Sequence, residues 1–136
     1  MRERLQSSRV ARLATVGAGG TPHIVPITFA LEGDTIYFAV DAKPKRTNDL
    51  QRVRNIAANP AVSVLVDHYN DDWTSLWWVR ADGTARVLAP GAETDRALAI
   101  LAARYSQYRQ APPPGPVVAI TIQRMTGWEA RANSAC

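Results

Sequence analysis

Between Val10 and Val40 three runs of strand character follow one another with no helical period among them, and this feature restricts the fold more than any other. Val10 to Val16 reads as one strand, and Gly17-Ala18-Gly19-Gly20 supplies the positive-φ residues of a tight connection. Thr21 to Leu31 then alternates, with His23, Val25, Ile27 and Phe29 on one face. Glu32-Gly33-Asp34 turns the chain into the β-branched and aromatic run Thr35 to Val40. Strands joined this closely pair antiparallel, because a parallel pair needs a crossover of about a dozen residues or more. A three-stranded meander is the economical arrangement. The glycine cluster is no dinucleotide fingerprint, since it lies between two strand patterns and opens no helix.

The period changes at Thr47. Thr47 or Asn48 caps a helix in which Leu50, Val53, Ile56 and Ala57 recur at spacings of three and four until Asn59-Pro60 stops it. Ala61 to Asp67 returns to strand, Trp73 to Leu88 reads as a long strand bent near Asp82-Gly83, and Glu93 to Tyr105 as a second helix. Arg2 to Ser8 suits a short surface helix, Pro112 to Pro116 a stiff extended connector, and Val117 to Gln123 a last strand, after which only Trp128 is a large anchor. About six strands with two to three helices, and no regular βαβ alternation, predict a mainly β (α+β) fold built as an antiparallel barrel. At 136 residues the chain, 1–136, is one domain.

Hydrophobic residues at 46% and charged residues at 21% exclude disorder and coiled coil. No apolar run approaches the roughly 18 to 20 residues that span a bilayer, and no signal-peptide core follows Met1, so a soluble, cytoplasmic protein with no membrane partner is expected. The lone Cys136 forms no internal disulfide, and with His23 and His68 the only histidines no metal site is expected. Sixteen basic against twelve acidic residues leave +4, concentrated where Lys43, Lys45, Arg46, Arg52 and Arg54 face a single acid, Asp49. For Lys43-Pro44-Lys45-Arg46 a solvated basic turn is as good an explanation as anion capture at the following helix N-terminus, and Arg52 and Arg54, taken individually, read as exposed helix residues. The basic balance raises nucleic acid as a partner, but none is expected, because the aromatics interleave poorly with the cluster and no recognition motif is present.

Trp77 and Trp78 point to opposite faces if they lie on a strand, so one of them is available to a partner chain or a planar ligand. His23, alternating with apolar residues, reads as a satisfied structural histidine, and His68 to Asp72 as a loop. No nucleophile, triad or carboxylate pair is evident, and the catalytic residues stay unassigned.

The order of these segments adds a resemblance. Leu13-Ala14-Thr15-Val16, the glycine turn, Pro22-His23-Ile24-Val25-Pro26-Ile27-Thr28-Phe29, Gly33-Asp34-Thr35-Ile36-Tyr37-Phe38, the basic stretch, Asn59-Pro60, Val62 to Asp67 and Trp78-Val79-Arg80-Ala81-Asp82-Gly83 resemble the split β-barrel flavoproteins of the pyridoxamine 5′-phosphate oxidase class. Within that class the chain is most similar to the small mycobacterial-type enzymes that use the deazaflavin coenzyme F420. The resemblance covers roughly residues 5 to 128 and rests on the order of motifs, with the Lys43-Pro44-Lys45 and Trp77-Trp78-Val79-Arg80 runs the most specific.

The resemblance implies an FMN-binding-type split barrel that works as a homodimer, with cofactor at the subunit interface. It implies ring contacts, largely through backbone groups, for Val25, Pro26, Ile27 and Thr28, and ring or ribityl contacts for Ala39 and Val40. The oxidase carries a basic pair eight to nine residues before its Asn-Pro stop, where this chain has Gln51 and Arg52, so Arg52 alone keeps the charge for the phosphate. Trp78 stands where the oxidase has a glutamine that touches the ring from the other subunit. Lys43, Lys45 and Arg46 suit the acidic tail of coenzyme F420 better than the single phosphate of FMN, the alternative cofactor. The implied activity is that of an F420-dependent oxidoreductase passing hydride to a small unsaturated or conjugated substrate, which needs no catalytic triad. A non-catalytic deazaflavin carrier, an FMN-binding protein and a haem-binding barrel remain alternatives.

Overall fold

The computed structural model describes residues 1–40, 47–113 and 115–130, with the backbone alone at 47–50. The strands are β1 (Ala11–Val16), β2 (Pro22–Ile27), β3 (Ala30–Glu32), β4 (Thr35–Ala39), β5 (Ala61–His68), β6 (Trp77–Val87) and β7 (Val117–Glu129). The helices are α1 (Arg2–Ser7), α2 (Thr47–Ala58), α3 (Ala92–Arg104) and α4 (Ser106–Gln110). All seven strands pair antiparallel in one curled sheet, in the order β2-β1-β5-β6-β7-β4-β3. This is the antiparallel split barrel expected from the strand pattern, with one strand more and α4 added.

Alternation along the strands fills the barrel. Leu13 from β1, Val64 from β5 and Val79 from β6 point inward to Phe29, Phe38 and Ile120, all essentially inaccessible to solvent. Strand β4 is buried on both faces. Ile36 and Phe38 enter this core, while Tyr37 and Ala39 lie in a second one beneath α3 with Ala97, Leu101 and Tyr105. Its run of apolar residues is therefore continuous rather than alternating. Helix α3 is fixed at its start by Glu93, which accepts from the Tyr37 hydroxyl at 2.8 Å and from both Arg86 terminal nitrogens at 3.0 and 2.8 Å. Burial, then the bond to Glu93, pushes the Tyr37 hydroxyl above its ordinary range, and the hydrogen bond from Arg86 holds the Glu93 carboxyl below its own.

Three expectations are corrected. The meander does not form: β1 pairs with β2 and β3 with β4, but β2 and β3 lie at opposite ends of the strand order. Thr21 to Leu31 is thus two strands broken at Thr28-Phe29. The break persists because the Tyr105 hydroxyl replaces the ladder there, accepting from the Phe29 N–H at 3.2 Å and lying 2.9 Å from the Phe29 and Arg9 carbonyls, which share its proton. The strand read from Trp73 begins only at Trp77, because Asp72 caps a 3₁₀ turn at Trp73–Ser75 by accepting from the Thr74 N–H at 3.1 Å. Strand β7 continues past Gln123 to Glu129, its far half paired with β6. The bend near Asp82-Gly83 is a bulge: Asp82 faces Arg124 and Gly83 faces Ile122, leaving Gln123 as the extra residue.

Tyr105→Phe keeps the ring but leaves the buried Phe29 backbone groups without a partner. The expected loss is about 1 to 3 kcal/mol of stability, read as a lower midpoint in urea with the slope unchanged. An unchanged midpoint would show that the hydroxyl does not hold the break.

Candidate functional site

Strand β2 ends the sheet, so Pro22 and Pro26 cost it no ladder bond that a neighbour needs. Where β2 stops, Pro26, Ile27 and Thr28 form one wall of a cleft of about 310 Å³. Val10 ahead of β1, Ala39 at the end of β4, Arg52 on α2 and Tyr108 on α4 complete it. Among the described residues the lining is apolar except for one cation and two hydroxyls.

Each polar group is held from behind. Helix α2 is tied to the barrel through Asn55, 3% exposed, whose amide donates to Thr15 Oγ1 at 3.0 Å and accepts from Gln51 Nε2 at 2.7 Å. This bond places Arg52, the next residue, half-buried at the cleft. Thr28 Oγ1 and the Tyr108 hydroxyl are 2.8 Å apart, and the Tyr108 ring meets the pinned Tyr105 ring edge-on, with centroids 5.8 Å apart and planes at 74°.

Of the residues singled out in the sequence, Pro26, Ile27, Thr28, Ala39 and Arg52 therefore meet in one cleft. Val25 packs half-buried against the barrel core, and Val40 is a core residue whose N–H donates to the Pro116 carbonyl at 2.8 Å. Trp78 lies on the outer face of the sheet. Lys43, Lys45 and Arg46 lie outside the described residues. Gln51 is engaged with Asn55. His23 is not satisfied as expected: it faces Thr15 across the ladder, and its Nδ1 is buried with no hydrogen-bond partner among the described residues. Tyr108 was missed, because Ser106 to Gln110 is one short turn of helix with no apolar repeat to signal it. Its only sequence signal is the pairing of Tyr105 and Tyr108 at helical spacing.

A larger cavity, about 510 Å³, lies on the outer face of the sheet. There Ile24, Leu65, Trp78 and Trp128 project from neighbouring strands, with Trp78 directly opposite Trp128. Ile24 is 65% exposed, Trp128 49% and the adjacent Tyr69 64%. The charges on this face are paired within the chain, Arg12 with Asp67 at 3.4 Å and Arg80 with Asp82 at 3.0 Å. Trp77 points the other way, against the core and under the Arg4 guanidinium. The two cavities meet at the β1–β2 ladder, where Arg12 of the outer face pairs with Pro26 of the cleft. Among the described residues no three His, Cys, Asp or Glu side chains come together as metal ligands, and no helix is long and apolar enough to cross a membrane.

Solved structures share this fold at low identity. A FAD-binding protein of Mesorhizobium loti superposes with a TM-score of 0.71 at 24% identity, over 93% of this chain and 89% of its own. The haem storage protein of Vibrio cholerae gives 0.70 at 16%, over 94% and 90%. A Bacteroides thetaiotaomicron protein to which 5-nitroimidazole antibiotic resistance has been provisionally assigned gives 0.70 at 18%, over 93% and 80%. No curated protein matches the sequence. The sequence profile described as pyridoxamine 5′-phosphate oxidase matches residues 1–129, nearly the whole chain, and with the split-barrel topology above it the protein belongs to the pyridoxamine 5′-phosphate oxidase family.

Proposed function

We propose that the protein is an oxidoreductase that binds a flavin-type cofactor in the Pro26–Thr28 cleft, the deazaflavin F420 in preference to FMN, and reduces a small unsaturated or conjugated compound. The observation that carries this reading is the convergence of Pro26, Ile27, Thr28, Ala39 and Arg52, drawn from separate stretches of sequence, on one cleft. The donor set fits the group. Apolar walls accept a planar ring, the hydroxyls accept its polar edge, and a guanidinium at the cleft suits a phosphate. The FAD-binding protein of the same fold supports the ring class.

When bound, the reduced ring supplies hydride. The chain's own part is to hold the ring against Pro26 and Ile27, neutralise its acidic tail at Arg52 and keep water from the reacting face. The working unit of the proposal is a homodimer. The outer face supports it, because its aromatics are exposed while its ions are already paired, so a second copy could cover it without stranding a charge. Trp78 of one chain would then reach the cofactor of the other beside the Arg12–Pro26 junction.

Absorbance and fluorescence titrations with F420, FMN and haemin test the cofactor. The expected order is F420 tighter than FMN, with affinity falling as salt rises. Arg52→Ala is expected to weaken F420 binding by about 1.5 to 3 kcal/mol, the worth of a hydrogen bond to a charged group. Tight haemin binding with no flavin or deazaflavin binding would move the protein towards the storage role of its Vibrio cholerae structural relative. Binding of F420 without oxidation of its reduced form by a quinone or enone acceptor would leave a carrier.

A further inference from the structure

We infer that the Thr28–Tyr108 hydroxyl pair reads the imide edge of the bound ring and that Tyr108 is the residue that positions it, an inference that rests on the cofactor reading above. Two hydroxyls 2.8 Å apart hold two protons, and the bond between them uses one. Whichever donates, the pair has one O–H and at least one lone pair left for another partner. A planar ring carrying a –CO–NH–CO– edge, as flavins and deazaflavins do, offers the complementary acceptor and donor. An apolar or purely anionic ligand does not.

The setting favours recognition over packing. Both residues are half-buried, and Tyr108 lines the cleft while Thr28 follows directly on the β2 wall. The Tyr108 ring is braced by Tyr105, whose hydroxyl is bound to the Phe29 backbone, so α4 and the end of β2 move as one piece. Orientation is thus set before a ligand arrives, which lowers the ordering cost of binding. Arg52, from a different helix, addresses charge and not the ring edge.

The experiment separates ring from tail. Wild type, Tyr108→Phe, Thr28→Val, the double variant and Arg52→Ala are titrated with F420 and its tail-free form, 7,8-didemethyl-8-hydroxy-5-deazariboflavin, and with FMN and riboflavin. Tyr108→Phe is expected to weaken the tailed and tail-free members of a pair by the same factor, roughly three- to tenfold, as for one neutral hydrogen bond. Thr28→Val should match it, and the double variant should lose little more, because the hydroxyls act as a unit. Arg52→Ala should weaken only the tailed members. The near-ultraviolet band of the bound ring, which responds to hydrogen bonding at the ring carbonyls, should move in Tyr108→Phe and stay in Arg52→Ala, an outcome that lost packing alone would not produce. Tail-free affinity unchanged within twofold in Tyr108→Phe would overturn the inference while leaving the cofactor reading intact. Wild type binding none of the four would overturn both.

Discussion

Gly83→Ala is expected to lower the thermal midpoint by roughly 10 °C, the equivalent of about 3 kcal/mol in a domain of this size. Gly83 sits in the centre of the sheet, facing Val62 of β5 and Ile122 of β7 at the bulge. A Cβ added there would overlap the Thr121 carbonyl oxygen and come within 3.0 Å of Ile120 Cγ2. The backbone oxygen cannot retreat as a flexible side chain would, because β7 is held on one side by β6 and on the other by β4. The cost is steric and should appear with any side chain, growing from alanine to valine. Circular dichroism melting measures it. A midpoint within about 2 °C of the parent would mean that the bulge relaxes and that the close approach is not required.

Trp78→Asp is expected to convert the proposed dimer to monomer at micromolar concentration, weakening association about 30-fold or more, as for a buried tryptophan anchor. The new carboxylate would lie directly across the ladder from Asp67, whose only ion-pair partner among the described residues is Arg12, and would be stranded by a second copy. Sedimentation velocity reads the association state, and far-ultraviolet circular dichroism should show the fold unchanged, since Trp78 lies outside the barrel core. Cofactor affinity should fall together with dimerisation, because the proposal completes each cleft with the other chain's Trp78. A parent protein that sediments as a clean monomer, or a variant that stays dimeric with cofactor affinity intact, would defeat that assembly.

Period-two segments were legible in the sequence because burial repeats with the pleat. Val62, Val64 and Val66 announced β5 without ambiguity, and the bend at Asp82-Gly83 showed as a glycine within a strand pattern. The division of β2 from β3 was not legible. Thr28-Phe29 continues the alternation without a break, and the group that interrupts the ladder, the Tyr105 hydroxyl, is 76 residues away. Nor could spacing show the pair of cores around β4, which only α3 lying on its outer face explains. At the cleft, the β2 wall and Arg52 were accessible through the resemblance. Tyr108 was not, because its significance depends on a hydrogen bond to Thr28 that no local pattern encodes. Val25, for which the resemblance implies contact largely through backbone groups, turns its side chain towards the core opposite Leu13, and Val40 is buried within it.

The place of β7 between β6 and β4 has a consequence for how the molecule comes into being. Strands β1, β2, β5 and β6 pair among themselves and could assemble as soon as residue 87 is available. The β3–β4 hairpin, although made earlier, has no neighbour in the sheet except β7 among the described residues. Until residues 117–129 are synthesised, the sheet is in two pieces with no ladder between them, one of them a hairpin that is marginal by itself. Ala39 and the Pro26–Thr28 wall belong to different pieces, so the cleft is assembled late, by the arrival of a strand that does not line it. Cofactor added during synthesis should therefore protect the released chain, and not nascent chains that lack β7.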